Sequence, residues 1–317
     1  MPKDNNRNSE ASFDGAWITI GSFDGIHRGH QQIIQKLVQG THRENQQAVV
    51  VTFYPNPSVV LRSISTPYYL TTPEEKSRIL HDMGVDSVLT IKFDKDLSQK
   101  TAEEFMAMLH DRLKFSCLLI GYDFRLGANR EGDIHRLGEI GGKLGYCVRS
   151  VDPVERENGT VSSSRIREYL HRGDVGTTAE YLGRYYEVKG EVVHGDGRGK
   201  HIGLPTANIQ PWKNKITPSK GVYAAYVRFN ENIFQSVVNI GSRPTFYDHP
   251  VEQTIEIYIL DFDEDIYGSN LRLFFVECIR PEEKFDSVEA PMDVIRNDTT
   301  HAREVLSNAP AKKYIPA

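Results

Sequence analysis

Between Ala16 and about Val151, short β-branched runs alternate with stretches of helical periodicity, and after about Gly183 strand-like runs follow one another with no helix between them. Few folds accept such a change of pattern. Strand candidates in the first part are Ala16 to Ile20, Ala48 to Phe53, Ser87 to Ile91, Cys117 to Gly121 and Tyr146 to Val151. Helical spacing appears near Gly29 to Val38, Pro73 to Met83, Ala102 to Leu113 and Ile134 to Leu144, with Thr72-Pro73-Glu74-Glu75 as a helix start. This alternation predicts a parallel sheet with helices on both faces, whose ligands sit beyond the C-terminal ends of the strands. Two helical stretches then span about Ser164 to Leu182. The runs at Tyr185 to Val193, Val222 to Arg228, Phe234 to Ile240, Ile255 to Leu260 and Arg272 to Cys278 predict an antiparallel β-barrel, followed by a helix near Ser287 to Val305. The expected class is therefore α/β plus all-β, with domains over 16–183 and 184–308. A chain of 317 residues is long enough to bury two cores.

Gly21-Ser22-Phe23-Asp24-Gly25-Ile26-His27-Arg28-Gly29-His30 stands where the first strand becomes the first helix. Unpaired backbone N–H groups and the positive end of the helix dipole can hold a phosphate there, with imidazole N–H groups beside them. Glycines let the ligand approach the backbone. Taken alone, two histidines would be ordinary surface residues. Ser12-Phe13-Asp14-Gly15 repeats part of the motif without the histidines and follows a polar tail. Phe53-Tyr54-Pro55-Asn56-Pro57 and Gly121-Tyr122-Asp123-Phe124-Arg125 also fall at strand ends, where packing is the commoner role for a Phe. Ser162-Ser163-Ser164-Arg165-Ile166-Arg167 opens a helix, so its hydroxyls can cap free N–H groups while its arginines face an anion.

The net charge of −5 divides as 22 basic against 24 acidic residues up to Gly183, and 16 against 19 beyond it. Neither half has the basic excess that sequence-independent nucleic-acid binding requires. No apolar run is long enough to cross a membrane and Met1 to Glu10 lacks a signal-peptide pattern, so the expected location is the cytoplasm. Cys117, Cys147 and Cys278 lie in apolar strand-like runs without CxxC spacing and are expected as reduced core residues. Residues 1 to 15 are polar and expected to be disordered.

In the second half, His194-Gly195-Asp196-Gly197-Arg198-Gly199-Lys200-His201-Ile202-Gly203-Leu204-Pro205-Thr206-Ala207-Asn208 contains Gly-Lys yet is no Walker A loop, since His201 stands where Ser or Thr is required and His194 where the first Gly is required. Glu256 lies in Thr254-Ile255-Glu256-Ile257-Tyr258-Ile259-Leu260, on the face shared with Tyr258 and opposite Ile255 and Ile257. For an isolated Glu, the solvated side of a strand is the usual setting.

GxFDGxHxGH resembles the signature of bacterial bifunctional riboflavin kinase/FAD synthetases, and SSSRIR, GYDFRLG, GLPTAN and NIGSRPTF are similar to further motifs of that family, in family order from Gly21 to about Arg296. Ser22, Ser164 and Leu126 depart from the family's usual Asn or Thr, Thr and aromatic residue. The resemblance implies a Rossmann-like HxGH nucleotidyltransferase domain that adenylylates FMN to FAD, and a barrel domain that phosphorylates riboflavin to FMN. It also implies the residue roles. His27 and His30 would stabilise phosphates, and Glu256 would be the general base of the kinase. Nucleotide contacts would come from Gly21, Phe23, Asp24, Gly25, Ser162, Ser163, Ser164 and Arg167 in the first domain, and from Gly197, Gly199, Lys200, Pro205, Thr206 and Asn208 in the second. Phe53, Pro57, Asp123, Phe124 and Arg243 would meet the flavin, and Thr206 and Asn208 would offer oxygens to Mg²⁺. Expected partners are ATP, riboflavin and FMN, with no nucleic acid and no membrane; a homo-oligomer is allowed. Rival readings are a flavin-responsive binding protein and an HxGH adenylyltransferase with a nucleic-acid-binding barrel. Thr206, Asn208 and Glu256 together argue against both, and the acidic second half argues further against the latter.

Overall fold

A computed structural model of the chain describes residues 13–152, 160–194, 205–242, 253–282 and 292–315. They form two compact units, Met1–Thr66 with Pro73–Val161, and Pro67–Thr72 with Ser162–Ala317.

The first unit runs β1 (Trp17–Ile20), α1 (Arg28–Glu44), β2 (Ala48–Tyr54), α2 (Pro57–Leu61), α3 (Pro73–Asp82), β3 (Ser87–Lys92), α4 (Lys95–Ser98), α5 (Ala102–Leu113), β4 (Cys117–Gly121), α6 (Ile134–Leu144) and β5 (Cys147–Val151). All five strands are parallel, in the order β3-β2-β1-β4-β5. Alternate residues of each strand serve opposite faces. Ile18, Val49, Val51, Leu118 and Ile120 pack with Phe105 and Leu109 of α5 and with Leu137 and Ile140 of α6. Trp17, Val50 and Leu119 pack on the other side with Ile34 and Leu37 of α1 and with Ile79 and Leu80 of α3. Helices cover both faces, as the alternation predicted. Their starts are written locally: Thr101 and Glu104 close a reciprocal capping box on α5, and Asp133 caps α6.

Two expectations are corrected. Cys117 and Cys147 are register partners on β4 and β5 with Cα atoms 4.5 Å apart, and they form a disulfide rather than standing as reduced packing residues; Cys278 alone is free. Residues 13–15 are held in place rather than disordered, since Phe13 packs on the core and the Gly15 amide donates to the Lys114 carbonyl at 3.0 Å. Residues 1–12 lie outside the described residues.

The second unit comprises α7 (Ser163–His171), α8 (Val175–Leu182), β6 (Tyr186–Val193), β7 (Ala207–Pro211), β8 (Gly221–Phe229), β9 (Asn232–Ser242), β10 (Gln253–Ile259), β11 (Asn270–Pro281), α9 (Met292–Asn308) and α10 (Ala311–Tyr314). Antiparallel pairing in the order β10-β7-β6-β11-β8-β9, with β9 returning to β10, closes a barrel. Ala302 and Leu306 of α9 seat on Ala224, Tyr226 and Phe274, and Arg280 of β11 grips Asp298 of α9 through bonds of 2.9 to 3.1 Å. Pro67–Thr72 packs with this unit. The Tyr68 and Tyr69 amides donate to the Asn214 carbonyl and Lys215 Nζ donates to the Leu70 carbonyl.

Gly40 in α1 faces Trp17, whose ring is buried, covered by the Arg149 guanidinium at 4.2 Å and tied through Nε1 to Glu44 at 3.2 Å. A methyl group at position 40 would overlap that ring. Gly40→Ala gains roughly 1 kcal/mol of helix propensity, whereas overpacking against a fixed indole costs about 1–3 kcal/mol. The variant is expected to be less stable, read as a lower urea midpoint in the transition of the first unit.

Candidate functional site

The chain leaves β1 through a turn that only an over-determined backbone can hold. Phe23, Gly25 and Ile26 have φ of 45°, 83° and 40°, a region natural to glycine but costing of order 1–3 kcal/mol at each of the other two. Phe23, Asp24, Ile26 and His27 are all buried. The Ser22 carbonyl within this turn receives the Thr52 hydroxyl of β2 at 3.1 Å and the Lys76 ammonium of α3 at 2.7 Å, and Gln31 Nε2 donates to the Ile26 carbonyl at 2.9 Å.

His27 is the N-cap of α1, and its Nδ1 accepts the His30 amide at 3.4 Å. With Nδ1 accepting, Nε2 is the His27 ring nitrogen left to face a ligand. The two imidazoles stack with centroids 3.7 Å apart, and the Phe23 ring meets His30 edge-on at 5.1 Å. His30 Nδ1 is shut from solvent and has no partner. Burial, then the neighbouring His27 and Lys76, hold His30 well below the ordinary imidazole range. The imidazole pair stands at the start of a 17-residue helix, whose positive dipole end favours an anion.

β1 lies between β2 and β4, so segments leaving all three strands share one edge of the sheet. That edge carries the remaining candidates of this unit. Phe53 is half-buried at the end of β2, against Phe93 at 5.7 Å and Phe105 at 6.1 Å. Pro57 begins α2 behind the Asn56 cap. Asp123 is exposed beyond β4, whereas Phe124 packs against the core. Gly21 and Gly25 belong to the turn itself.

Ser162, Ser163, Ser164 and Arg167 lie in the second unit. Ser162 caps α7, its Oγ accepting the Arg165 amide at 3.4 Å. Arg167 spends Nε on the Tyr68 carbonyl at 2.9 Å and lies 3.8 Å above the Tyr68 ring.

In the barrel, antiparallel register sets Asn208 of β7 directly opposite Glu256 of β10, with Asn239 of β9 on Glu256's other side. Cross-strand partners project from the same face. Glu256 is half-buried, and Asn208 is buried with Oδ1 lacking a partner. Thr206, half-buried, and Pro205, exposed, precede β7. Gly197, Gly199, Lys200 and Arg243 lie outside the described residues. Among the described residues, no group of three or more His, Cys, Asp and Glu side chains could hold a metal.

Sequence reasoning passed over Lys76. Its ammonium is buried beside the histidine turn and bonds Ser22 and Thr52, with burial lowering its pKa and Asp24 opposing that effect. One signal was available: Lys76, Ile79, Leu80 and Met83 share the helical spacing of a buried stripe, where an unpaired cation is costly. Asn239 was passed over too, because only strand pairing brings it beside Glu256.

A model of the FAD synthetase family matches residues 9–165, and one of the riboflavin kinase family matches residues 182–306. The chain is 36% identical over 300 residues to the bifunctional riboflavin kinase/FMN adenylyltransferase of Escherichia coli (strain K12), covering 93% of this chain and 94% of the relative. It is 33% identical over 294 residues to the protein of the same description from Bacillus subtilis (strain 168), covering 92% of each. A crystal structure described as a macrolide-efflux protein from Streptococcus pneumoniae matches with a TM-score of 0.85 at 30% identity, over 95% of this chain and 97% of that one. Among the described residues no helix is long and apolar enough to cross a membrane. With relatives of this identity matched over nearly their whole length, the chain belongs to the bifunctional riboflavin kinase/FMN adenylyltransferase family and carries both activities.

Proposed function

We propose that the two activities divide between residues 16–183, which adenylylate FMN, and residues 184–308, which phosphorylate riboflavin. The observation that carries this division is a pair of buried polar atoms without partners, His30 Nδ1 beside the β1–α1 turn and Asn208 Oδ1 opposite Glu256. Buried polar groups are almost always satisfied in proteins, so each points to a ligand group. The two belong to different compact units.

In the first reaction a ribityl hydroxyl of riboflavin attacks the γ-phosphorus of ATP and ADP leaves, while Glu256 accepts the hydroxyl proton. Such a transfer needs an acceptor for the proton, charge neutralisation and alignment. Thr206 and Asn208 supply hard oxygens of the kind Mg²⁺ prefers, and the orphaned Asn208 Oδ1 fits that role. Bound there, Mg²⁺ would neutralise phosphate charge. Gly197, Gly199, Lys200 and Pro205 complete the assignment on the nucleotide side.

In the second reaction a phosphate oxygen of FMN attacks the α-phosphorus of ATP and pyrophosphate leaves. No side chain need act as nucleophile; His27, His30 and the amides at the start of α1 hold the charge that develops. Gly21, Phe23, Asp24 and Gly25 shape that cradle, and Ser162, Ser163, Ser164 and Arg167 are assigned as nucleotide contacts. Phe53, Pro57, Asp123 and Phe124 are assigned to the flavin of this reaction, and Arg243 to the flavin of the first. Dependence on ATP supports a cytoplasmic location, and the acidic balance of the barrel half supports small molecules rather than nucleic acid as partners.

Separation of the two activities by mutation tests this reading. His30→Ala is expected to lower FAD formation by roughly a hundredfold or more while FMN still accumulates from riboflavin. Glu256→Gln is expected to lower FMN formation by about 10²–10⁴-fold while supplied FMN is still converted to FAD. Chromatography of the flavins reports both. Loss of both activities in either folded variant overturns the assignment.

A further inference from the structure

We propose that Lys76 is a positioning residue of FMN adenylylation, tying the β1–α1 turn to β2 so that the His27–His30 pair is held for the nucleotide. The inference rests on the assignment of those histidines to that reaction.

Three groups form a closed triangle. Lys76 Nζ donates to the Ser22 carbonyl at 2.7 Å and to Thr52 Oγ1 at 3.1 Å, and Thr52 Oγ1 donates to the same Ser22 carbonyl at 3.1 Å. The triangle joins α3, the turn and β2. Ser22 immediately precedes Phe23, whose backbone lies at φ 45° and whose ring supports His30 edge-on at 5.1 Å. A non-glycine residue keeps such a conformation only where surrounding contacts impose it. Lys76 supplies the strongest of those contacts, a charged donor on a backbone carbonyl with little water to compete.

A purely structural role would be served better by an apolar side chain. Lys76 occupies a position on the buried stripe of α3 with Ile79 and Leu80, where a methionine would fill similar space without desolvating an ammonium. The charge is retained where it reaches the histidines. Asp24 faces Lys76 from the turn, and Lys76 joins burial and His27 in keeping His30 neutral. An ammonium has three donors, and the bonds to Ser22 and Thr52 engage two.

The test uses full-length Lys76→Met, Thr52→Val and His30→Ala, each assayed for FMN formation from riboflavin and for FAD formation from supplied FMN. Unchanged FMN formation certifies the kinase half, and a cooperative urea transition of the first unit certifies the fold around each substitution. For Lys76→Met, kcat of FAD formation is expected to fall roughly a hundredfold with a much smaller change in the KM for ATP. The acid limb of its pH profile should also move to higher pH, because a charge that lowers the His30 pKa has gone. Thr52→Val, which removes one anchor and no charge, should lose several-fold in kcat with its acid limb in place. Should Lys76→Met fail to fold, the Thr52→Val kcat decides. Wild-type kcat in the folded variants, with His30→Ala inactive, overturns the role of Lys76 alone. FAD formation by His30→Ala at the wild-type rate overturns the histidine assignment and this inference with it.

Discussion

Parallel pairing of β1 with β2 on one side and β4 on the other is the constraint on which the first unit depends. Parallel neighbours cannot be joined by a hairpin, so every strand returns through a helix and both faces of the sheet must be covered. The chain lays β2 and β3 to one side of β1, then crosses to lay β4 and β5 on the other. Reversal of direction at β1 opens a crevice at its C-terminal end, and what lies there suits a phosphate: a tight turn, a helix N-terminus and two imidazoles.

The barrel meets its requirement differently. An antiparallel sheet that closes has no free edge, and closure makes β7 and β10 neighbours although more than forty residues separate them. Register then matters to a single residue. A slip by one would turn Asn208 or Glu256 to the opposite face and separate an orphaned amide oxygen from the carboxylate across from it. Ile255, Ile257 and Ile259, all buried, hold that register because slipping would expose them.

The elements most legible in the sequence are those with strong local periodicity. The helices expected near Ala102 to Leu113 and Ile134 to Leu144 coincide with α5 and α6, each a clean apolar stripe behind a capping Thr or Asp. β7 was not read as a strand, because Ala207–Pro211 is short, ends in proline and follows a glycine-rich motif that dominated its neighbourhood. The described part of α9 spans Met292–Asn308, and the expected start at Ser287 lies outside the described residues. The Cys117–Cys147 pairing is hidden in the sequence for a further reason: the two sit thirty residues apart in separate runs, and only the β4–β5 register makes them partners.

The candidate site divides along the same line. The amino-acid order by itself determined the turn between strand and helix, the residue types within it and the change from crossover to antiparallel connection, because those depend on backbone preference and periodicity over a few residues. Tertiary structure alone decided that Asn208 faces Glu256, that His30 keeps a buried nitrogen without a partner, and that the ammonium of Lys76 lies under the histidine turn. Those facts arise from register and burial, which bring together groups far apart along the chain and change the cost of leaving a polar atom unpaired; neither is encoded within any short stretch of residues.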